Sequence, residues 1–95
     1  MRLKKEFIIR EVAGQDVMIA TGKEAMKYNG LLIVSPVGRF LLENYQNAQG
    51  ISELIQMVLD EFEVDRETAA KDTIGFTNTM LEHGFIEMDD SEKGW

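Results

Sequence analysis

The chain has 95 residues, 44% of them apolar and 28% charged, with a net charge of −7, the composition of one modest soluble domain with a small core. With no cysteine, disulfides, thiolate zinc sites and cysteine catalysis are excluded. The acidic balance argues against nucleic-acid backbones as partners, and no stretch approaches the roughly 20 apolar residues of a membrane span.

Residues 1–6, Met-Arg-Leu-Lys-Lys-Glu, form a basic lead-in without the apolar run of a signal peptide. A cytoplasmic location is therefore expected. Residues 7–13, Phe-Ile-Ile-Arg-Glu-Val-Ala, are rich in β-branched and aromatic side chains and read as a strand. Phe7 and Ile9 point one way, Ile8 and Val12 the other, an imperfect alternation that admits a bulge. Gly14, Gln15 and Asp16 supply a turn, and strand character resumes over residues 17–21, which predicts a hairpin. Residues 22–29 read as a loop or a single helical turn. Leu31, Leu32, Ile33 and Val34, bounded by Gly30 and by Ser35-Pro36, predict a third strand.

The chain then changes period. Ser35 can cap orphan helix amides, and Pro36 stands where a missing N–H costs nothing. Val37, Phe40, Leu41 and Asn44/Tyr45 follow at helical spacing. After the polar break at residues 47–50, Ile51, Leu54, Ile55, Val58, Leu59 and Phe62 mark one face of a second helix, with Glu53 three residues beyond Gly50 at its start. Asp65 is the expected N-cap of a third helix over residues 66–83, Val64 its hydrophobic staple against Ala69, and Gly84 its left-handed terminator. That helix carries two adjacent stripes. Ala69, Thr73, Phe76 and Met80 hold the larger residue, Phe76, and are given the core; Ala70, Ile74, Thr77 and Leu81 are left for a second contact. Phe85 and Ile86 return to the core, and residues 88–95 read as a flexible acidic tail.

Chemistry-bearing residues are sparse. The single histidine, His83, lies in the last turn of the third helix, where a capping or surface role fits it better than catalysis without a positioned partner. Asp60, Glu61 and Glu63 read as a solvated helix end rather than a metal site. Gly22 and Gly30 do not form a phosphate-cradling loop. Of the six methionines, Met18 and Met80 fit core positions, and ordinary packing accounts for the rest. No catalytic residue, metal ligand or cofactor is predicted.

A small sheet followed by three helices is a winged helix-turn-helix-like α+β arrangement, which raises DNA-binding regulation as a rival function. The third helix is poorly equipped for it, with Arg66 and Lys71 set against Glu67, Asp72 and Glu82. No nucleic-acid partner is expected.

The order of short motifs resembles the PqqD-like family, named for coenzyme PQQ synthesis protein D. The pieces are Arg10-Glu11-Val12-Ala13-Gly14, Tyr28-Asn29-Gly30, Ser35-Pro36-Val37-Gly38-Arg39-Phe40-Leu41, Phe62-Glu63-Val64-Asp65, and Asp72, Phe76, Met80 with Gly84-Phe85-Ile86. Together they cover about residues 7–87, taken as the domain. The proline-containing lead-in of members in PQQ synthesis is missing, so the resemblance implies a stand-alone relative serving another peptide. It implies a non-catalytic recognition element for ribosomally made, post-translationally modified peptides. Such an element holds the leader segment of a precursor as an added strand and presents it to a modifying enzyme, a radical SAM enzyme or a protease or cyclase. On that pattern the peptide would lie along Leu31, Leu32, Ile33 and Val34. It would lean on Ala70, Lys71, Ile74, Thr77, Asn78 and Leu81 of the third helix. The strand edge offers a template for such an addition, and equally for a second copy of the chain in a homodimer.

Overall fold

The computed structural model describes residues 1–21 and 31–88. The loop or turn expected over residues 22–29, and all of the expected tail except Met88, lie outside the described residues. Strand β1 (Arg2–Leu3) precedes the predicted hairpin of β2 (Phe7–Val12) and β3 (Gln15–Ala20), then β4 (Leu31–Val34). Helices α1 (Pro36–Asn44), α2 (Ile51–Glu61) and α3 (Arg66–Glu82) follow, with a 3₁₀ turn at Tyr45–Asn47 and a closing strand β5 (Ile86–Glu87). The expected architecture, a three-stranded antiparallel sheet in the order β2-β3-β4 followed by three helices in a winged-helix-like arrangement, is present.

The hairpin turns one step earlier than its Gly14-Gln15-Asp16 signal suggested. Ala13 and Gly14 both have positive φ, 53° and 80°, the combination of a two-residue turn whose twist matches that of the flanking strands. Gln15 and Asp16 are already strand, and pairing runs unbroken from Phe7↔Ala20 to Val12↔Gln15, so no bulge interrupts it. The core face of the sheet carries Phe7, Met18 and Val34, all buried.

The lead-in is tied down. β1 pairs antiparallel with β5 through Arg2↔Glu87 and Leu3↔Ile86, and the Lys4 amide donates to the Phe85 carbonyl at 3.1 Å. Met1 is buried, and the Phe7 and Phe85 rings meet edge to face at 5.0 Å. Composition around residues 1–6 held no strand signal because a two-residue pairing depends on its distant partner rather than on local pattern.

Each helix end follows its local chemistry. Ser35 Oγ accepts from the Gly38 amide at 3.0 Å with Pro36 in the first turn. Gly50 has no side chain to cap α2, and the Glu53 carboxylate reaches back to the Gln49 amide at 3.3 Å instead. Asp65 caps α3 by accepting from the Thr68 amide at 3.2 Å, and hydrogen bonding from the Thr68 side chain first and its amide second holds the Asp65 carboxyl below its usual range. At the far end Gly84 has φ +73°, its amide donates to Leu81 and that of Phe85 to Met80. This pair of bonds is what a left-handed residue after a helix permits.

The core lies between the sheet and the three helices. Leu41, Tyr45, Leu54 and Val58 are almost wholly removed from water, and Phe40 meets Phe62 edge to face at 5.4 Å beside them. The inward face of α3 is Ala69, Thr73, Thr77 and Met80, all buried. Two threonines on that face behave differently. Thr77 shares a buried hydrogen bond of 2.9 Å with the Tyr45 hydroxyl, whereas Thr73 Oγ1, also buried, has no partner among the described residues. An unmet buried hydroxyl costs about 1–3 kcal/mol. Thr73→Val is therefore expected to leave stability unchanged or raise it by about 1 kcal/mol. Thr77→Val orphans the Tyr45 hydroxyl and is expected to cost about 1–3 kcal/mol in denaturant titrations.

Burial also pushes the Tyr45 hydroxyl from its ordinary 10 up to about 12. A raised folded-state pKa contributes stability that is complete below the unfolded value and is lost as pH rises through the folded one. The domain is thus expected to weaken between about pH 10 and about pH 12, by roughly 1.4 kcal/mol for each unit of difference between the two pKa values. Denaturation midpoints followed across that window check it: the stability gap between the wild type and Tyr45→Phe should narrow as pH rises.

Candidate functional site: an open strand edge beside an apolar cleft

The abrupt junction at Ser35-Pro36 turns the chain from β4 directly into α1. Two contacts fix its angle. Gly38 is buried, and a Cβ there would lie 3.0 Å from Cε1 of Phe76, so the first turn of α1 rests directly on that ring. Arg39 Nη1 donates to Asp16 Oδ1 at 2.6 Å and its Nε lies 3.4 Å from Glu43. The Asp16 hydrogen bond raises the Arg39 pKa, and Asp16 is the residue opposite Val34 in the sheet. Strand β4 and helix α3 are thereby held apart, and a cleft of about 710 Å³ lies between them. That volume is in the range of ligand clefts. Leu32, Ile33 and Val34 line one wall, Val37 and Gly38 the end, and Lys71, Asp72, Gly75, Phe76, Thr79 and Met80 the other wall.

β4 is the edge of its sheet, and among the described residues no strand pairs with its outer side. Its backbone polarity follows from the register. The Thr21 amide donates to the Glu6 carbonyl, which makes Glu6–Thr21 a hydrogen-bonded pair at the end of the β2–β3 ladder. Bonded and non-bonded pairs alternate in an antiparallel ladder. Ile19 and Val17 therefore bond toward β2, and Met18 and Asp16 toward β4. Their partners Leu32 and Val34 turn their amides inward. Leu31 and Ile33 direct N–H and C=O outward along the free edge.

The predicted site residues divide. Leu32, Ile33, Val34 and Lys71 line the cleft, and Leu31 begins the same strand opposite Ile19. The other α3 residues do not line it. Ala70 and Leu81 are half-buried against the core, Ile74 is 38% exposed, and Asn78 is exposed. Thr77, expected to face outward with them, is completely buried and bonded to Tyr45. Phe76, given the core, is half-buried: it packs against the core and also forms a cleft wall. At about 100° per residue, the core arc of Ala69, Thr73, Thr77 and Met80 has two flanks. The more apolar flank, with Ala70, Ile74 and Leu81, drew the expectation, while the cleft opens on the other, toward Asp72, Phe76 and Thr79. Buried threonines blurred the arc. Glycines at positions 38 and 75, where helix propensity disfavours them, were the sequence signal for the missed wall.

His83 is exposed at the end of α3, its ring 5.6 Å from that of Phe85. Among the described residues no three His, Asp or Glu gather in a group that could hold a metal ion, and no helix is long and apolar enough to cross a membrane.

The family model for coenzyme PQQ synthesis protein D (PqqD) matches residues 15–86, from the start of β3 to β5. The chain belongs to the PqqD family. No curated protein matches it. Among solved structures, this PqqD-family fold is similar to TbiB1 in complex with the TbiA(beta) leader peptide, with a TM-score of 0.68, 15% identity and coverage of 94% of this chain and 98% of that one. It is similar also to lasso peptide synthetase B1 complexed with the leader peptide, with a TM-score of 0.65, 17% identity and coverage of 87% and 92%.

The alternation along β4 separates two neighbouring substitutions in this PqqD-family domain. Leu32→Pro removes an amide that bonds to β3 and is expected to cost about 1–3 kcal/mol. Ile33→Pro removes only an outward amide from a residue 61% exposed and should melt close to the wild type. Paired melting curves check the assignment.

Proposed function

We propose that this domain is a non-catalytic recognition module for the leader segment of a ribosomally made precursor peptide. The leader adds as a strand along β4, exchanging main-chain bonds with Leu31 and Ile33, and lays alternate side chains into the cleft against α3. The observation that carries this reading is a strand edge left unpaired among the described residues and bordering an apolar cleft. An extended peptide needs both elements, main-chain partners for affinity and side-chain pockets for specificity. Membership in the PqqD family supports it, as does likeness in fold to two proteins described with leader peptides bound. The partner enzyme would be one that modifies the peptide, a radical SAM enzyme or a protease or cyclase, and the meeting would take place in the cytoplasm where such peptides are made.

The test is an anisotropy titration with a labelled synthetic peptide, the N-terminal segment of a short open reading frame found next to the gene for this chain. Saturable binding is expected, with Ile33→Pro weakening it at least about tenfold while remaining folded. Equal binding by wild type and Ile33→Pro would reject strand addition at β4. A concentration-dependent dimer that the leader does not dissociate would favour self-association at this edge, and a saturable shift of duplex DNA at physiological salt would favour a regulator.

A further inference from the structure

Gly75 stands in the interior of α3, where glycine is the poorest choice short of proline. Among the described residues nothing requires it there. Its φ is not positive, unlike those of Gly14 and Gly84, so another residue could adopt the same backbone. A Cβ built at position 75 meets nothing within 4 Å, whereas one at Gly38 would press on Phe76 at 3.0 Å. The helix runs unbroken through it, and its carbonyl accepts a further bond from the Thr79 hydroxyl at 3.0 Å. Among the described residues, the missing side chain therefore serves no packing contact of the protein's own. Gly75 is exposed and lines the cleft between Asp72, Phe76 and Thr79, facing Leu32 and Ile33 across the gap.

We infer that Gly75 is a specificity-determining notch, where the absence of a Cβ lets one large apolar side chain of the bound peptide, aromatic or branched, lie directly on the helix backbone. The inference rests on the strand-addition reading, because that reading brings alternate peptide side chains over α3. The Phe76 ring forms one side of the notch, and its edge or face suits an apolar or aromatic neighbour. A small or charged peptide residue would leave that surface uncovered. The occupied notch thus sets which residue the peptide must carry at one position, beyond the sequence-independent main-chain bonds along β4.

The signature is a gain in stability joined to a loss of binding, which a merely structural glycine would not produce. Gly75→Ala and Gly75→Leu, purified as the full chain, are compared with wild type by thermal melting and by anisotropy with the same labelled leader. Gly75→Ala is expected to melt higher than wild type, from helix propensity alone, and to bind the leader about tenfold more weakly; Gly75→Leu should bind more weakly still. Replacing the large apolar residues of the leader one at a time with alanine should reveal one whose loss weakens binding to wild type but changes nothing for Gly75→Leu. If Gly75→Ala binds the leader as tightly as wild type, or melts lower, the notch is wrong while leader recognition stands. If wild type itself fails to bind the leader, the recognition reading falls and the notch with it. Gly75→Ala carries the test even if Gly75→Leu does not fold.

Discussion

Phe76 meets the first turn of α1 at a point where residue 38 has no side chain, and the geometry of the cleft follows from that contact. Two helices cannot approach so closely through a methyl group already 3.0 Å from a ring carbon unless one of them gives way. The ring rests on α1 and against the edge of the core, and its remaining side stands as a cleft wall. The Ser35 cap and the Arg39–Asp16 pair act on the same junction. One fixes where the helix begins, and the other ties its first turn to the strand neighbouring β4. Together they prevent α3 from closing onto the strand edge.

An exposed strand of apolar residues is ordinarily a hazard, since it invites pairing with any other chain. Here it is short, four residues, and its outer side faces a cleft whose far wall is a helix. On the proposed reading, a peptide added there would satisfy two conditions at once, an extended backbone and side chains that fit beneath it. That double requirement would turn a generic template into a selective one.

The interior of α3 departs from the simplest packing solution. Placing Thr73 and Thr77 on the buried face brings two hydroxyls out of water, and among the described residues only the second finds a partner, in Tyr45. A small domain has limited stability to offset such a cost. The Tyr45–Thr77 bond orients the end of α1 against the middle of α3, so the same helix whose outer side borders the cleft is registered from beneath by a buried polar contact. Its two faces are coupled by position rather than by chemistry.

Local chemistry was legible in the sequence wherever one short segment carried its own instructions. The hairpin, the Ser35-Pro36 junction, the amphipathic stripe of α2, the Asp65 cap and the Gly84 stop were all readable, because turn preferences and caps act within a few residues. Leu32, Ile33 and Val34 were readable as a bounded apolar run for the same reason. What required the tertiary structure were relations between distant segments. The pairing of Arg2–Leu3 with Ile86–Glu87 depends on chain ends 85 residues apart. Which amides of β4 point outward depends on the register inherited from β2 and β3. Which flank of α3 faces the strand depends on where α1 presses, and two buried threonines had hidden the core arc from any count of apolar residues. A helix shows its periodicity in sequence, but the rotation about its axis is decided by the neighbours it packs against.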